Sequence, residues 1–214
     1  EKLSKMPTYK LTYFNARGYA EAARILFHLA DVPFEDFRMT HGDGTWEKLK
    51  DGAPFGQVPY LTVDGFDIPQ SAAIIRYLAN KFGYAGKTPE EQVWADAIVD
   101  QFKDFMGSFR ERIMAHFAGK SQEEIAKITS EVVIPARDSY FKILNGLLEK
   151  SKSGFLVGDS ITFADIVISE NITTLEKNQL FVASEQPNLA ALREKVYAIP
   201  AIRKWVEARP DTQY

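Results

Sequence analysis

Ala53-Pro54-Phe55-Gly56-Gln57-Val58-Pro59-Tyr60 is the stretch whose reading decides the fold. Val58-Pro59 stands just before a β-type run, Tyr60-Leu61-Thr62-Val63, and a proline at a strand entrance has no N–H to give to a ladder. It marks a fixed turn of the kind that also admits a cis bond. A cis bond here turns the Val58 N–H and C=O outward, as on an unpaired sheet edge, where a short extended peptide pairs with them antiparallel. Asp64-Gly65 then makes a hairpin turn and Phe66-Asp67-Ile68 a second strand. Gln70-Ser71 opens an apolar-periodic helix whose free N–H groups favour a carboxylate. Strand, turn, strand and helix N-terminus together suit a small acidic peptide. Taken alone, the octapeptide also fits an ordinary proline turn before a hairpin, which is the commoner case, so the rest of the chain has to decide.

Upstream, Tyr9-Lys10-Leu11-Thr12-Tyr13-Phe14 alternates and is rich in aromatic and branched residues, which predicts a strand. Asn15-Ala16-Arg17-Gly18 breaks it. From Tyr19 to Asp31 the residues Ala22, Ile25, Leu26, Leu29 and Ala30 recur at helical spacing, with Glu21, Arg24, His28 and Asp31 on the other face. That pattern is a helix lying on a sheet. Phe34 to Met39 predicts another strand, giving β-α-β with a right-handed crossover and parallel pairing. Trp46 to Lys50 sits in a polar, glycine-punctuated stretch, and Ile75, Leu78, Ala79 and Phe82 form a second amphipathic helix ending near Gly83. Residues 6–83 therefore spell an α/β domain of order βαβ-ββα, with a short irregular or helical piece in the middle.

Two glycines and a proline in Gly83-Tyr84-Ala85-Gly86-Lys87-Thr88-Pro89 punctuate the chain, and a linker is expected at residues 84–88. Residues 89–214 show no strand pattern and are expected to form an all-helical domain. Trp94, Ile98, Phe102, Phe105, Phe109 and Ile113 keep one stripe over five turns, and residues 121–150 continue helical until Pro135 kinks or divides them. Thr162-Phe163-Ala164-Asp165 is a capping box, flanked by Ile161 and Ile166 as a hydrophobic staple. Helices at 189–198 and 201–208 are separated by Pro200.

The chain has 214 residues, 45% hydrophobic and 26% charged, enough for a real core in one large or two small domains. A net charge of −3 gives no electrostatic reason to expect nucleic acid or an anionic membrane as partner. No apolar run approaches the ~20 residues that span a bilayer. Glu1-Lys2-Leu3-Ser4-Lys5 is charged and lacks the apolar core of a secretion signal, so the expected location is cytoplasmic, with Met6-Pro7 as a natural start. There is no cysteine. Disulfides, thiolate metal sites and cysteine nucleophiles are excluded together, and any thiol chemistry must use a thiol brought by the substrate.

In this order, Tyr9 to Asn15, Pro54 to Pro59, Gln70-Ser71, Asp96-Ala97-Ile98-Val99-Asp100, Thr162 to Asp165 and Ala208-Arg209-Pro210 resemble a glutathione transferase of the sigma class, the group that includes hematopoietic prostaglandin D synthase. The resemblance covers Pro7 to Tyr214. It implies a thioredoxin-like N-terminal domain and an all-α C-terminal domain that together form a homodimer. Glutathione is the implied co-substrate, with hydrophobic electrophiles as second substrates and no permanently bound cofactor. By resemblance Tyr13 is the catalytic tyrosine, its phenolic O–H stabilising the glutathione thiolate. Trp46 and Lys50 take the glycine carboxylate, Gly56, Gln57 and Val58 the cysteinyl backbone, and Gln70 and Ser71 the γ-glutamyl carboxylate. Asp104 of the partner subunit reaches the γ-glutamyl amine, and Phe55 packs into the partner's helices. Read one by one, Tyr13 also serves as a packing tyrosine like Tyr9, Lys50 as a solvated charge, Trp46 as a core or lid aromatic and Ser71 as a plain N-cap.

The expected electrophile pocket is lined by Phe14, Ala16, Arg17, Tyr19, Met106, Arg110 and Tyr214. Two departures from the prostaglandin-synthesising relatives stand there: Tyr19 replaces an arginine and Glu111 a tryptophan. Those relatives also cluster three carboxylates at a metal-binding interface, whereas the matching positions here are Asp100, Lys103 and Asp104. A lysine opposes a divalent cation, so no metal is expected. Conjugation of glutathione to electrophiles, with accompanying peroxidase activity, leads. The alternatives are an apolar-ligand carrier and a prostaglandin-type isomerase.

Overall fold

The computed structural model describes residues 7–214; the expected start at Met6 lies outside the described residues. By their contacts these residues form two compact units, one running to Ala85 and including Val196–Tyr214, the other Gly86–Lys195. The sequence groups residues 89–214 together, whereas the contacts put the last segment, from Val196 on, with the first unit.

The first unit runs β1 (Tyr9–Phe14), α1 (Glu21–Leu29), β2 (Glu35–Met39), α2 (Thr45–Leu49), β3 (Tyr60–Val63), β4 (Phe66–Pro69) and α3 (Ser71–Phe82). The sheet order is β2-β1-β3-β4, with β1 parallel to β2 and antiparallel to β3, as the βαβ-ββα reading requires. This is a thioredoxin-like domain. Leu11 and Leu61 are fully buried in the sheet, Ile25, Leu26 and Phe27 of α1 and Ile74 and Leu78 of α3 are buried as well, and α1 packs on α3. The polar stretch around Trp46 resolves as the short helix α2. Gly83, at φ 84°, takes the left-handed conformation that ends α3.

One expectation about α1 is corrected. The helical spacing puts Glu21 and Arg24 on the face opposite the apolar stripe, yet they are 1% and 0% exposed. The residues responsible lie far along the chain, in and just after the helix Pro200–Ala208, which packs against α1. From it Trp205 stacks on His28 at 4.2 Å. The Trp205 Nε1 and Arg209 Nη1 donate to Glu21 Oε1 at 2.7 and 2.9 Å. Arg24 Nη1 donates to Glu21 Oε2 at 3.0 Å and to the Ala16 carbonyl at 2.7 Å, while its Nε reaches Asp36 on β2 at 3.0 Å.

In the second unit, α4 (Pro89–Phe117) is followed by α5 (Gln122–Ile128), a π-type turn (Thr129–Val133), α6 (Ile134–Leu148), α7 (Phe163–Lys177) and α8 (Pro187–Tyr197), which runs into the segment that packs with the first unit; α9 is Pro200–Ala208. Pro135 stands in the first turn of α6, directly after the π-type turn that interrupts the stretch while keeping helical φ/ψ, −72° and −47° at Val133 and −61° and −50° at Ile134. The capping box forms as expected, Thr162 N and Oγ1 both donating to Asp165 at 2.8 and 2.9 Å. On the α4 stripe Ile98, Phe105 and Phe109 are buried, but Trp94 is 56% exposed. Among the described residues no helix is long and apolar enough to cross a membrane.

Burial pushes the Glu21 carboxyl up, but Arg24, Arg209 and the Trp205 indole outweigh it and hold it below the ordinary value. A depressed carboxylate stabilises the fold above its unfolded pKa and loses that contribution as the pH falls through the lower folded value. Glu21→Ala leaves two guanidiniums without their shared partner, and about 3–5 kcal/mol of stability should be lost. A denaturant midpoint unchanged from the parent, or an acid limb of the stability profile unmoved by the substitution, would contradict this.

Candidate active site

Strand register brings the segments that carry Tyr13, Val58, Gln70 and Ser71 to one end of the sheet. Thr12 pairs with Tyr60, and Tyr60 with Pro69, so one row crosses β1, β3 and β4. The next residue beyond that row on β1 is Tyr13. Leading into β3 at the same end are Val58 and Pro59, and leading out of β4 are Gln70 and Ser71. Three segments distant in sequence thus meet where β1 finishes. The Val58-Pro59 bond is cis, and among the described residues nothing pairs with the Val58 backbone.

Tyr13 is half-buried, its ring 5.9 Å from Phe14 in an edge contact. Its hydroxyl accepts a long bond from the Tyr19 N–H at 3.4 Å. Because the oxygen is the acceptor there, its own proton stays available to donate. Burial raises the phenol above the ordinary tyrosine value, against a smaller lowering by the Tyr19 N–H, so the group is a neutral O–H at physiological pH.

Phe14 carries α2 into the site: its ring stacks on His41 at 4.0 Å and meets Trp46 at 6.0 Å. Lys50 is exposed at the turn that follows α2, and its carbonyl lies 3.9 Å from where a Cβ on Gly56 would be. Gln57 and Gln70 meet directly, Gln70 Nε2 donating to Gln57 Oε1 at 3.4 Å, which ties the proline loop to the start of α3. Gln70 takes φ 70° before Ser71 begins the helix. The first-turn N–H groups of α3 therefore open at this end of the sheet, as a carboxylate site requires.

Of the expected pocket residues, the Ala16 carbonyl is held by Arg24, and Arg17 is buried, its N–H donating to the Tyr214 carbonyl at 2.8 Å and its Nη2 to Gln213 O at 3.2 Å. Tyr19 is 37% exposed. Met106 and Arg110 lie on α4 in the second unit, where the Met106 sulfur accepts from Asn171 at 3.7 Å. Asp104, also on α4, is exposed and accepts from Gln101 at 3.4 Å. Lys103 lies 3.6 Å from Asp100, an ion pair in the place of a carboxylate cluster. No group of three His, Asp or Glu able to hold a metal occurs among the described residues.

Sequence reasoning missed His41 and Gly18. A stacked histidine next to a glycine loop carries no periodic signal. Gly18 looked only like a strand breaker, yet it lies directly against the Tyr13 hydroxyl.

The glutathione S-transferase N-terminal domain family matches residues 9–80 and the glutathione S-transferase C-terminal domain family residues 107–209. Glutathione S-transferase 4 of Caenorhabditis elegans is 49% identical over 207 residues, covering 97% of this chain and 99% of that protein. Hematopoietic prostaglandin D synthase of Gallus gallus is 44% identical over 207 residues, with the same coverage of 97% and 99%. Among solved structures, monomeric Na-GST-3 of the hookworm Necator americanus superposes with a TM-score of 0.89 and 43% identity over 97% of this chain and 100% of that one. A Nu-class enzyme from Haemonchus contortus gives 0.86 and 44% over 98% and 100%. The chain belongs to the glutathione S-transferase family. It is a glutathione transferase.

With its phenol raised by burial, Tyr13 should keep its proton to a pH above the ordinary tyrosine value. Tyrosine-ring NMR with Tyr13→Phe for assignment reads this directly; a Tyr13 signal that titrates at or below the ordinary tyrosine value contradicts it.

Proposed function

We propose that the chain conjugates glutathione to apolar electrophiles, with Tyr13 as the catalytic residue. A free thiol with a pKa near 8.5 is mostly protonated at neutral pH, so the site has to favour its anion. The Tyr13 O–H donates to the sulfur and lowers the energy of the thiolate, as an oxyanion-hole donor does for developing charge. The thiolate lone pair then forms a carbon–sulfur bond to the electrophile, and the displaced group leaves with the bonding electrons. Lys50 and Trp46 hold the glycine carboxylate, Gly56, Gln57 and Val58 the cysteinyl backbone, and Gln70 and Ser71 the γ-glutamyl carboxylate. The observation that supports this reading is the register row Thr12, Tyr60 and Pro69: the segments carrying Tyr13, Val58 and Ser71 leave the sheet at the same end.

Phe14, Ala16, Arg17, Tyr19, Met106, Arg110 and Tyr214 are the proposed electrophile pocket. The motif series and the 44% identity to hematopoietic prostaglandin D synthase support the sigma class, with the Nu-class likeness as the competing label. That identity also favours a second reading, a prostaglandin-type isomerase, which Tyr19 and Glu111 oppose. Peroxidase activity and a cytoplasmic, detoxifying setting complete the proposal, and an apolar-ligand carrier is the other alternative. A panel of an aromatic halide, a lipid hydroperoxide, a reactive aldehyde and a prostaglandin endoperoxide, each with glutathione, separates these. Turnover of the endoperoxide alone would replace conjugation by isomerisation, and binding of apolar dyes with no turnover would leave a carrier.

Tyr13→Phe removes one oxygen and little volume. It should raise the bound thiol's pKa by about one or more, since a lost donor to a charged acceptor costs roughly 1.4 kcal/mol or more. Turnover at neutral pH should fall about tenfold or more and recover toward high pH, with glutathione binding changed much less. Tyr9→Phe is the control. Full activity and an unshifted thiolate titration in Tyr13→Phe would remove Tyr13 from the role.

A homodimer is proposed, with Asp104 serving the partner's γ-glutamyl amine. Phe55 supports it: the ring is 74% exposed on a residue at φ 57°. Sedimentation at micromolar concentration should give a dimer, and Phe55→Ala should weaken it. A fully active monomer would overturn this.

A further inference from the structure

We propose that Gly18 is a positioning residue for the Tyr13 hydroxyl: the space left by its missing Cβ is where the phenol oxygen sits. The inference rests on the proposed role of Tyr13 and deepens it. A Cβ at position 18 would lie 2.6 Å from the Tyr13 oxygen, 3.0 Å from Cε1 and 3.2 Å from Cζ, and the backbone there has φ +40°. At Gly42, Gly44 and Gly65, which also have positive φ, a Cβ would meet nothing within 4 Å. Those glycines answer only to their turns, whereas Gly18 answers to a side chain of the site.

Which partner would yield to a methyl group follows from how each is held. The loop is pinned on both sides. Arg24, fully buried, donates to the Ala16 carbonyl at 2.7 Å. Arg17, 3% exposed, is tied through its N–H to Tyr214 at 2.8 Å and to Thr212 Oγ1 at 3.3 Å. The Ala20 N–H closes back on the Arg17 carbonyl at 3.2 Å, and Ala20 is fully buried. The phenol is the far end of a half-buried side chain, so it is the part that moves. A shift that restores ordinary contact exceeds the ~0.5 Å within which a catalytic group has to be held.

The test uses Gly18→Ala and Gly18→Asn, each alone and combined with Tyr13→Phe. Asparagine tolerates positive φ and still carries a Cβ, so it separates crowding of the phenol from backbone strain. Readouts are the absorbance titration of the bound glutathione thiolate, the glutathione Kd, kcat/KM against pH, and a thermal melt. Both single variants should raise the bound thiol's pKa and lower kcat/KM at neutral pH about tenfold or more, recovering toward high pH, while Kd changes by less than about threefold. Combined with Tyr13→Phe, neither should move the thiol pKa further, because the oxygen they displace is gone. An unshifted titration in both Gly18 variants, with Tyr13→Phe still shifted, overturns the positioning role and leaves Tyr13 in place. An equal shift in the Tyr13→Phe background overturns it as well, since the effect then bypasses the hydroxyl. If Tyr13→Phe itself does nothing, both readings fall. A Gly18→Asn chain that fails to fold assigns the glycine to folding and overturns the proposal.

Discussion

The guanidinium of Arg24 is the constraint on which the first unit depends. It is fully buried and joins four parts of the chain: the loop after β1 through the Ala16 carbonyl, α1 through Glu21, β2 through Asp36 and, by way of Glu21 and Trp205, the helix α9. A lone buried charge would cost several kcal/mol, and two carboxylates with a carbonyl offset that cost rather than add large net stability. What the cluster contributes is geometry. Its Nε and Nη1 each meet a fixed acceptor, which holds the loop between Phe14 and Ala20 by the Ala16 carbonyl, and that loop delivers the Tyr19 N–H to the Tyr13 hydroxyl.

The thioredoxin-like order was legible because its signals are local. Period-two runs at Tyr9–Phe14 and Tyr60–Val63, the Asp64-Gly65 turn and the Gly83 stop each act within a few residues, and the strands and α3 fall where those signals put them. The buried charges were not legible, and the reason is physical. An amphipathic reading assigns charged residues to water, and on α1 it is overridden by residues more than 180 positions away, Trp205 and Arg209 bonding to Glu21. Trp94 fails in the opposite sense. It keeps the helical stripe of α4 but stands at its solvent-facing start.

At the site, local reading reached the parts and resemblance supplied the roles. Proline before a strand, a hairpin of fixed length and a helix N-terminus are enough to bring Val58 and Ser71 to one sheet end, since the register follows from the turn. That Tyr13 faces the same end follows from its place one residue beyond the last paired position of β1 with β3. Gly18 was beyond reach. In Asn15-Ala16-Arg17-Gly18 it has every mark of a breaker, and only the ring folded against it shows that the position has no room for a side chain.

Burial of Tyr13 serves the proposed chemistry through the order of two acidities. A phenol stabilises a thiolate by hydrogen bonding only while it holds its proton, so it has to remain the weaker acid of the pair. In water the margin is already present, about 10 for tyrosine against about 8.5 for a thiol, and burial widens it from the phenol side. The same removal of water strengthens the bond from an O–H to a sulfur anion. Accepting the Tyr19 N–H acts against the rise, but it leaves the hydroxyl proton to point elsewhere. A site that lowered the phenol instead would place two anions together and lose the thiolate it is meant to hold.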